Sequence, residues 1–411
     1  MTFKQTLLAS NKYLPIKLLL VRNPDRNLLR IENNPASLPE KIMAKVTVLL
    51  CFCVLAVVVS VNALTEKGKV GIYELKRGDM SLKFTNWGAT LVSFVLPDKN
   101  GKLIDIVLGY DTIKQYKNDT TYFGATVGRV ANRIKGAQFK LNGNTYKLVP
   151  NEGKNMLHGG PKGYADVVWE VTKHLNEGDE PHIVFSYHSF DGEEGFPGEI
   201  VVTVRYTLLA DNRLTVVMKA RNIGKKATPV NIANHAYWNL GGHNNGDILS
   251  EKIQIFASKY TPVDSELIPT GKVEAVKGTP FDFLKPNAIG SRIKQLPKGY
   301  DINYALDGVR GRKIWKAAVV QDKNSGIQME LSTNAPGLQF YSGNMIKDVK
   351  GKDGFVYKAH AGLCLETQWY PDYVNQPQLP SICCGAWKEV QTCDDVQILN
   401  TLRAFRSSIF I

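Results

Sequence analysis

The stretch IVVTVRYTLLADNRLTVVMKA, from Ile200 to Ala220, decides the fold class. Two runs rich in β-branched and apolar residues, Ile200 to Leu208 and Leu214 to Ala220, flank a turn containing Ala210-Asp211-Asn212-Arg213. Side chains point to opposite faces at successive strand positions, so these runs predict two antiparallel strands joined by a short turn. The pattern spreads outward. Ile183 to Tyr187 is a further run, and Ser81-Leu82-Lys83-Phe84 alternates. Leu91 to Leu96 and Leu103 to Leu108 are joined by Asp98-Lys99-Asn100-Gly101, while Ala137 to Leu141 and Thr145 to Leu148 flank Asn142-Gly143-Asn144. Both connectors have hairpin chemistry. Long amphipathic helical stretches are scarce, and many short strands with close turns predict an all-β sandwich or barrel. No composition break interrupts residues 64–380, which predicts one domain.

The 411 residues carry a formal charge of +13. Residues 1–42 hold seven Lys/Arg against three Asp/Glu and Lys45 adds one, which leaves +8 scattered over residues 64–411. No basic block is interleaved with aromatics, so a nucleic-acid partner is not expected. Met43 to Ala63 has a basic start at Lys45, an apolar run from Val46 to Val61, and small residues at Val61-Asn62-Ala63. That is the layout of a signal peptide, and the run is shorter than the ~20 residues of a membrane span. The expectation is a secreted protein that starts at Met43 and loses its leader, with residues 1–42 a non-native or disordered extension. A signal anchor with a basic cytoplasmic tail, or a cytoplasmic protein, is the alternative. No stable membrane partner is expected unless that segment is an uncleaved anchor. Cys51 and Cys53 would leave with the leader. Cys364, Cys383, Cys384 and Cys393 are too few and too clustered for a disulfide framework. No His stands near Cys383 or Cys393 to complete a zinc site. Asn118-Asp119-Thr120 is a single glycosylation sequon.

Six segments carry polar residues that a plain sandwich does not need. Gly128 to Ile134 (GRVANRI) contains Asn132 and Arg133; a guanidinium is planar and multi-donor, and an amide both donates and accepts, so both suit hydroxyls. Asn155 to Gly160 (NMLHGG) places His158 before two glycines, where backbone can approach a ligand closely. Asn234 to Gly242 (NHAYWNLGG) gathers His235, Tyr237 and Trp238; aromatic faces pack on pyranose rings, and a His transfers protons near neutral pH. Tyr300 to Tyr304 (YDINY) offers Asp301 as an acceptor. Gly337 to Asn344 (GLQFYSGN) puts Gln339 and Tyr341 on one face by alternation, compatible with a cleft or with solvent. Leu363 to Pro377 (LCLETQWYPDYVNQP) places Glu366 after an apolar run, at a partly buried strand end. Burial raises a carboxylate's pKa and makes it a better base near neutrality. Taken singly, a surface arginine, a turn histidine or aspartate, an aromatic core cluster and a solvated glutamate are the ordinary readings.

Together, in this order, the segments resemble the galactose mutarotase (aldose 1-epimerase) family, over about residues 66–380. With the leader-like segment, the chain is similar to a plant-like secreted member. The resemblance implies a large antiparallel β-sandwich of the galactose mutarotase-like supersandwich type, and interconversion of α and β anomers of free hexoses such as galactose and glucose. It implies Glu366 as general base and His235 as general acid, with Asn132, Arg133, His158, Tyr237, Asp301 and Gln339 binding the sugar. No metal, nucleotide or redox cofactor is implied, and neither a P-loop nor a dinucleotide fingerprint is present.

Two departures from the family pattern stand out. Ile302 occupies a position where the family often has His, which is expected to alter the edge of the site. After Ser381 the residues ICCGAWKEVQTCDDVQILNTLRAFRSSIFI show no clean alternation where further strand sequence is expected, so residues 382–411 read as an atypical tail that would leave a sheet edge open. The rival functions are a hexose-6-phosphate 1-epimerase, which needs a basic phosphate site that the sequence does not reveal, and a non-catalytic carbohydrate-binding protein. A glycoside hydrolase or lyase would usually need a second carboxylate.

Overall fold

A computed structural model describes residues 68–210, 212–308, 314–376, 378–379, 383–384 and 396–406. The expected extension and leader, residues 1–63, lie outside the described residues. The turn marked by the sequence joins two ten-residue strands, Ile200–Leu209 and Arg213–Asn222, paired in register from Ile200↔Asn222 to Leu209↔Arg213. Their burial alternates along the chain, with Val202, Val204, Tyr206, Leu214, Val216 and Met218 turned inward.

These strands sit in the middle of a nine-stranded antiparallel sheet. Its order is Glu170–Leu175, His182–Ser189, Ile200–Leu209, Arg213–Asn222, Val396–Arg406, Ile327–Thr333, Trp315–Gln321, Lys252–Ile255, Asn287–Ala288. The strand Val396–Arg406 corrects the reading of the tail. It pairs with Arg213–Asn222 on one side and Ile327–Thr333 on the other. Pairing is carried by backbone amides and carbonyls, which every residue except proline supplies in full. Residues 396–406 contain no proline, so weak alternation did not prevent a strand.

A six-stranded antiparallel sheet carries four of the six polar segments, in the order Tyr237–Trp238, Leu363–Gln368, Gly337–Tyr341, Asp301–Ala305, Lys259–Thr261, Glu274–Ala275. Register sorts its side chains. Asn303 lies opposite Gln339, and Gln339 opposite Glu366; Asp301 lies opposite Tyr341, and Tyr341 opposite Cys364, which also faces Tyr237. Residues opposite one another share a face, so these groups form one polar face. The intervening Ile302, Tyr304, Leu338, Phe340, Leu363, Leu365 and Trp238 form the other. They join one apolar core with the nine-stranded sheet and with Leu75, Leu82 and Phe84 of a four-stranded sheet. Each such side chain, fully buried, contributes ~1.5–3 kcal/mol. The central strands Gly337–Tyr341 and Leu363–Gln368 are therefore buried on both faces, one against the core and one against the site.

Candidate active site

The eight residues expected from the sequence, Asn132, Arg133, His158, His235, Tyr237, Asp301, Gln339 and Glu366, line a single cavity of about 210 Å³. That is below the ~300 Å³ at which drug-sized pockets begin, which suits one small ring. A larger cavity of about 470 Å³, beside Arg77, Met80, Pro97 and Leu209, holds none of them.

Two short backbone ladders assemble the rim. Arg133–Ile134 pairs with Met156–Leu157, and His158 N–H donates to Asn132 O at 3.1 Å while Asn132 N–H donates to His158 Nδ1 at 3.2 Å. The second bond leaves Nδ1 as acceptor, so neutral His158 carries its proton on Nε2. The glycine after it serves packing of the backbone rather than approach to a ligand. Gly159 has φ +91°, and a Cβ there would lie 2.0 Å from Gly128 O. Only glycine lets this loop close on Gly128 and Arg129. The neighbouring Ala233–Asn234 pairs with Thr126–Val127 and brings His235 in beside them.

The chemistry concentrates where these ladders meet the six-stranded sheet. His235 Nε2 is 3.7 Å from Glu366 Oε1, and His235 Nδ1 is 3.6 Å from Cys364 Sγ. The rings of His158 and His235 are 5.1 Å apart, and Tyr122 covers both, at 4.9 and 5.8 Å. Behind Glu366 runs a polar chain. Gln368 Nε2 donates to Gln339 Oε1 at 3.2 Å and to Asn303 Oδ1 at 3.1 Å, and Gln339 Nε2 donates to Asp301 Oδ1 at 2.6 Å. Asp301 Oδ2 stands 3.7 Å from Arg133 Nη1, and Arg133 is gripped on its other side by Glu152 through bonds of 2.7 and 2.8 Å.

Burial dominates the electrostatics. It pushes the Glu366 carboxyl well above the usual range, helped by Asp301 and opposed by Arg133. It pushes His235 down to about 4, and His158 well down too, with the charges of His235 and Arg133 adding to the effect. Asp301 is raised by burial in spite of Arg133 and Gln339. Burial opposes the charge on Arg133, but Glu152 and Asp301 outweigh it and the guanidinium is raised. Burial thus disfavours the charged forms of the Glu366 carboxyl and of both imidazoles.

Several expectations need correction. Glu366 is 2 % exposed and lies inside its strand rather than at a partly solvated end, because the strand continues to Gln368. Trp238 and Ile302 face the apolar core, so Trp238 offers no ring face to a sugar and Ile302 does not alter the edge of the site. Gln339 and Tyr341 do share a face, and it is the cleft. Glu152, Tyr122, Asn303 and Gln368 were missed. Alternation from Asp301 to Asn303, and from Glu366 to Gln368, would have flagged the last two. The loop residues Glu152 and Tyr122 carry no such signal.

His158, His235 and Glu366 also bring ligand-type atoms within 4.8 Å of one another. A histidine that binds a metal normally donates through its other nitrogen. In His158 that other nitrogen accepts from Asn132, so a cation would have to break this bond. The donor set fits proton transfer better than a resident metal.

Comparison with known proteins places the chain in a class of sugar-isomerising β-sandwich enzymes. The aldose 1-epimerase family matches residues 71–385, and the chain belongs to that family. It is 41 % identical over 317 residues to the galactose mutarotase of Bos taurus, covering 77 % of this chain and 90 % of that protein. It is 36 % identical over 311 residues to the aldose 1-epimerase of Escherichia coli (strain K12), covering 74 % and 87 %. The crystal structure of a GalM/aldose epimerase homologue from C. elegans superposes with a TM-score of 0.76 at 28 % identity, covering 83 % of this chain and all of that one.

Proposed function

We propose that this aldose 1-epimerase equilibrates the anomers of free hexoses such as galactose and glucose with Glu366 as general base and His235 as general acid. The observation that carries the reading is the 3.7 Å approach of Glu366 Oε1 to His235 Nε2 within one sugar-sized cavity. Glu366 takes the proton of the anomeric hydroxyl, and His235 gives a proton to the ring oxygen. The bond from C1 to that oxygen breaks and an aldehyde forms. Rotation about C1–C2 presents the other carbonyl face, and the reverse transfers close the ring.

Ring opening converts a carboxylate and an imidazolium into a carboxylic acid and a neutral imidazole. Burial penalises both charged forms, so the desolvation that raises Glu366 and lowers His235 stabilises the open-chain state relative to the ring. Arg133 opposes this by favouring the carboxylate that must act first. Asp301 offers acceptors, His158 an Nε2–H donor, and Asn132, Gln339 and Tyr237 complete the hold on the hydroxyls.

Polarimetry of freshly dissolved α-galactose tests this, with the parent and Glu366→Gln compared. A positioned proton transfer contributes ~100- to 10,000-fold, and the variant is expected to lose that much of kcat. Equal rates would remove Glu366 from the role. Release of aglycone from an aryl galactoside would instead indicate a glycosidase.

We infer also that this is a secreted member of the plant-like kind. What supports this is the layout of Met43 to Ala63. Protein recovered from the medium with Leu64 at its N-terminus would agree; protein retained in cells with residues 43–63 intact would not.

A further inference from the structure

Arg133 is the one Lys or Arg among the described residues that line the cavity. A guanidinium recognises a carboxylate or phosphate by presenting two parallel N–H groups. In this cavity the protein's own acid takes that edge. Arg133 Nε donates to Glu152 Oε2 at 2.7 Å, and Nη2 to Glu152 Oε1 at 2.8 Å. The remaining nitrogen, Nη1, faces Asp301 Oδ2 at 3.7 Å, and Asp301 is itself held by Gln339. Three carboxyl groups, those of Glu152, Asp301 and Glu366, thus act on one cation whose side-on fork is filled by Glu152 and whose end-on nitrogens face Asp301.

Glu152 is set for this by its loop. Its N–H donates to Asn155 O at 3.1 Å and Asn155 N–H returns to Glu152 O at 3.0 Å. Asn151 ties the same loop to Leu157 on both sides, at 2.7 and 2.9 Å. The loop that delivers His158 therefore also delivers Glu152. Its side chain is 35 % exposed while that of Arg133 is 6 % exposed, so Glu152 reaches the guanidinium from the mouth and leaves the interior to the sugar.

We propose that Glu152 is a specificity-determining residue that caps Arg133 and so closes the cavity to anionic sugars, such as hexuronic acids and hexose phosphates, while admitting neutral aldoses. The proposal rests on the sugar-binding reading of the cavity. A carboxylate or phosphate entering the cavity has to displace Glu152 from the side-on fork of Arg133, or compete with Asp301 for the end-on nitrogens while lying among three carboxyl groups. A neutral hydroxyl needs only the N–H groups that the fork leaves over. The arrangement also argues against a hexose 6-phosphate as the substrate.

The test is polarimetry of galactose and of galacturonic acid, which carries a carboxylate on the same ring, with the parent, Glu152→Gln and Glu152→Asp. The reading is the ratio of kcat/KM for the two sugars within each protein, so a general loss of folding or activity cancels. In the parent, galacturonate is expected at least about tenfold below galactose, because like charges in a shared site cost several kcal/mol. Glu152→Gln narrows that gap at least about tenfold, and Glu152→Asp, which keeps the charge, largely preserves it. Galactose 6-phosphate, added as a competitor, inhibits Glu152→Gln at lower concentration than the parent. A gap unchanged in Glu152→Gln, or a parent that handles both sugars alike, overturns the proposal. A parent that accelerates neither sugar overturns the sugar-binding reading beneath it, a result distinct from an unchanged ratio.

Discussion

Removing the cation of Lys352 should strongly destabilise the fold, because it leaves a buried carboxylate without its partner. Lys352 is buried, and its Nζ donates to Asp105 Oδ2 at 2.8 Å and to Val107 O at 2.8 Å. Asp105 accepts as well from Ser93 Oγ at 2.7 Å and from Phe94 N–H at 2.9 Å. Burial works to raise this carboxyl, yet Lys352 and the hydrogen bonds hold it below its ordinary value. The replacement Lys352→Met keeps most of the stem and deletes the charge. Breaking a buried pair from one side costs about 3–5 kcal/mol, since the partner is left uncompensated. Unfolding entropy of about 2.1 cal/mol/K per residue, over a unit spanning Gly68–Ile411, converts this to a Tm lowered by roughly 4–7 °C. Thermal melting followed by circular dichroism at pH 7 reads it. Adding Asp105→Asn to Lys352→Met removes the orphaned charge and should recover much of the loss. A single variant that melts with the parent, or a double variant no better than the single, would refute the reasoning.

The pH dependence of kcat/KM should be bell-shaped. One proton shared by Glu366 and His235 defines the competent state, and the apparent values belong to the pair. Activity falls on the acid side near pH 4, where His235 takes a second proton, and on the alkaline side as the raised Glu366 gives up the shared one. An acid limb near the ordinary histidine value would contradict this. A carboxylate away from the cavity contributes to the pH dependence of stability. Glu251 is buried, accepts from Leu240 N–H at 2.8 Å, and is pushed up to about 8 by desolvation. Between its unfolded value of about 4.3 and about 8, the folded protein holds a proton that the unfolded chain has lost. Stability therefore falls as pH rises through that window, by at most ~1.4 kcal/mol per unit. Glu251→Gln keeps an acceptor for Leu240, so its melting curve should be flatter with pH and higher than the parent's at pH 8. Parallel curves would show that Glu251 does not titrate in that range.

Legibility from sequence follows the length scale of each interaction. The hairpin of Ile200–Leu209 and Arg213–Asn222 was readable because one face meets the core and the other does not, so period two appears in the residues themselves. The strand Leu363–Gln368 was harder to read, since it is buried on both faces and its alternation is between apolar and catalytic groups. Glu366 and His235 could be picked out only through their family motifs. What brings them together is the pairing of Tyr237 with Cys364 and of Ala233–Asn234 with Thr126–Val127, contacts between segments far apart in the chain. Glu152 was invisible for the same reason, because its partner lies on another strand and its own loop looks like any polar turn. The strand Val396–Arg406 was overlooked because its position is fixed by two neighbours rather than by its own pattern.

That last strand has a consequence for how the molecule is made. It bridges Arg213–Asn222 and Ile327–Thr333, both of which leave the ribosome before it. Until it arrives, each half of the large sheet waits with a row of unsatisfied amides and carbonyls. Pairings between distant segments form slowly, and an unfilled slot of this kind invites strands from neighbouring chains. Chaperone dependence during biosynthesis should therefore concentrate on the final step, in which one late segment locks two finished halves.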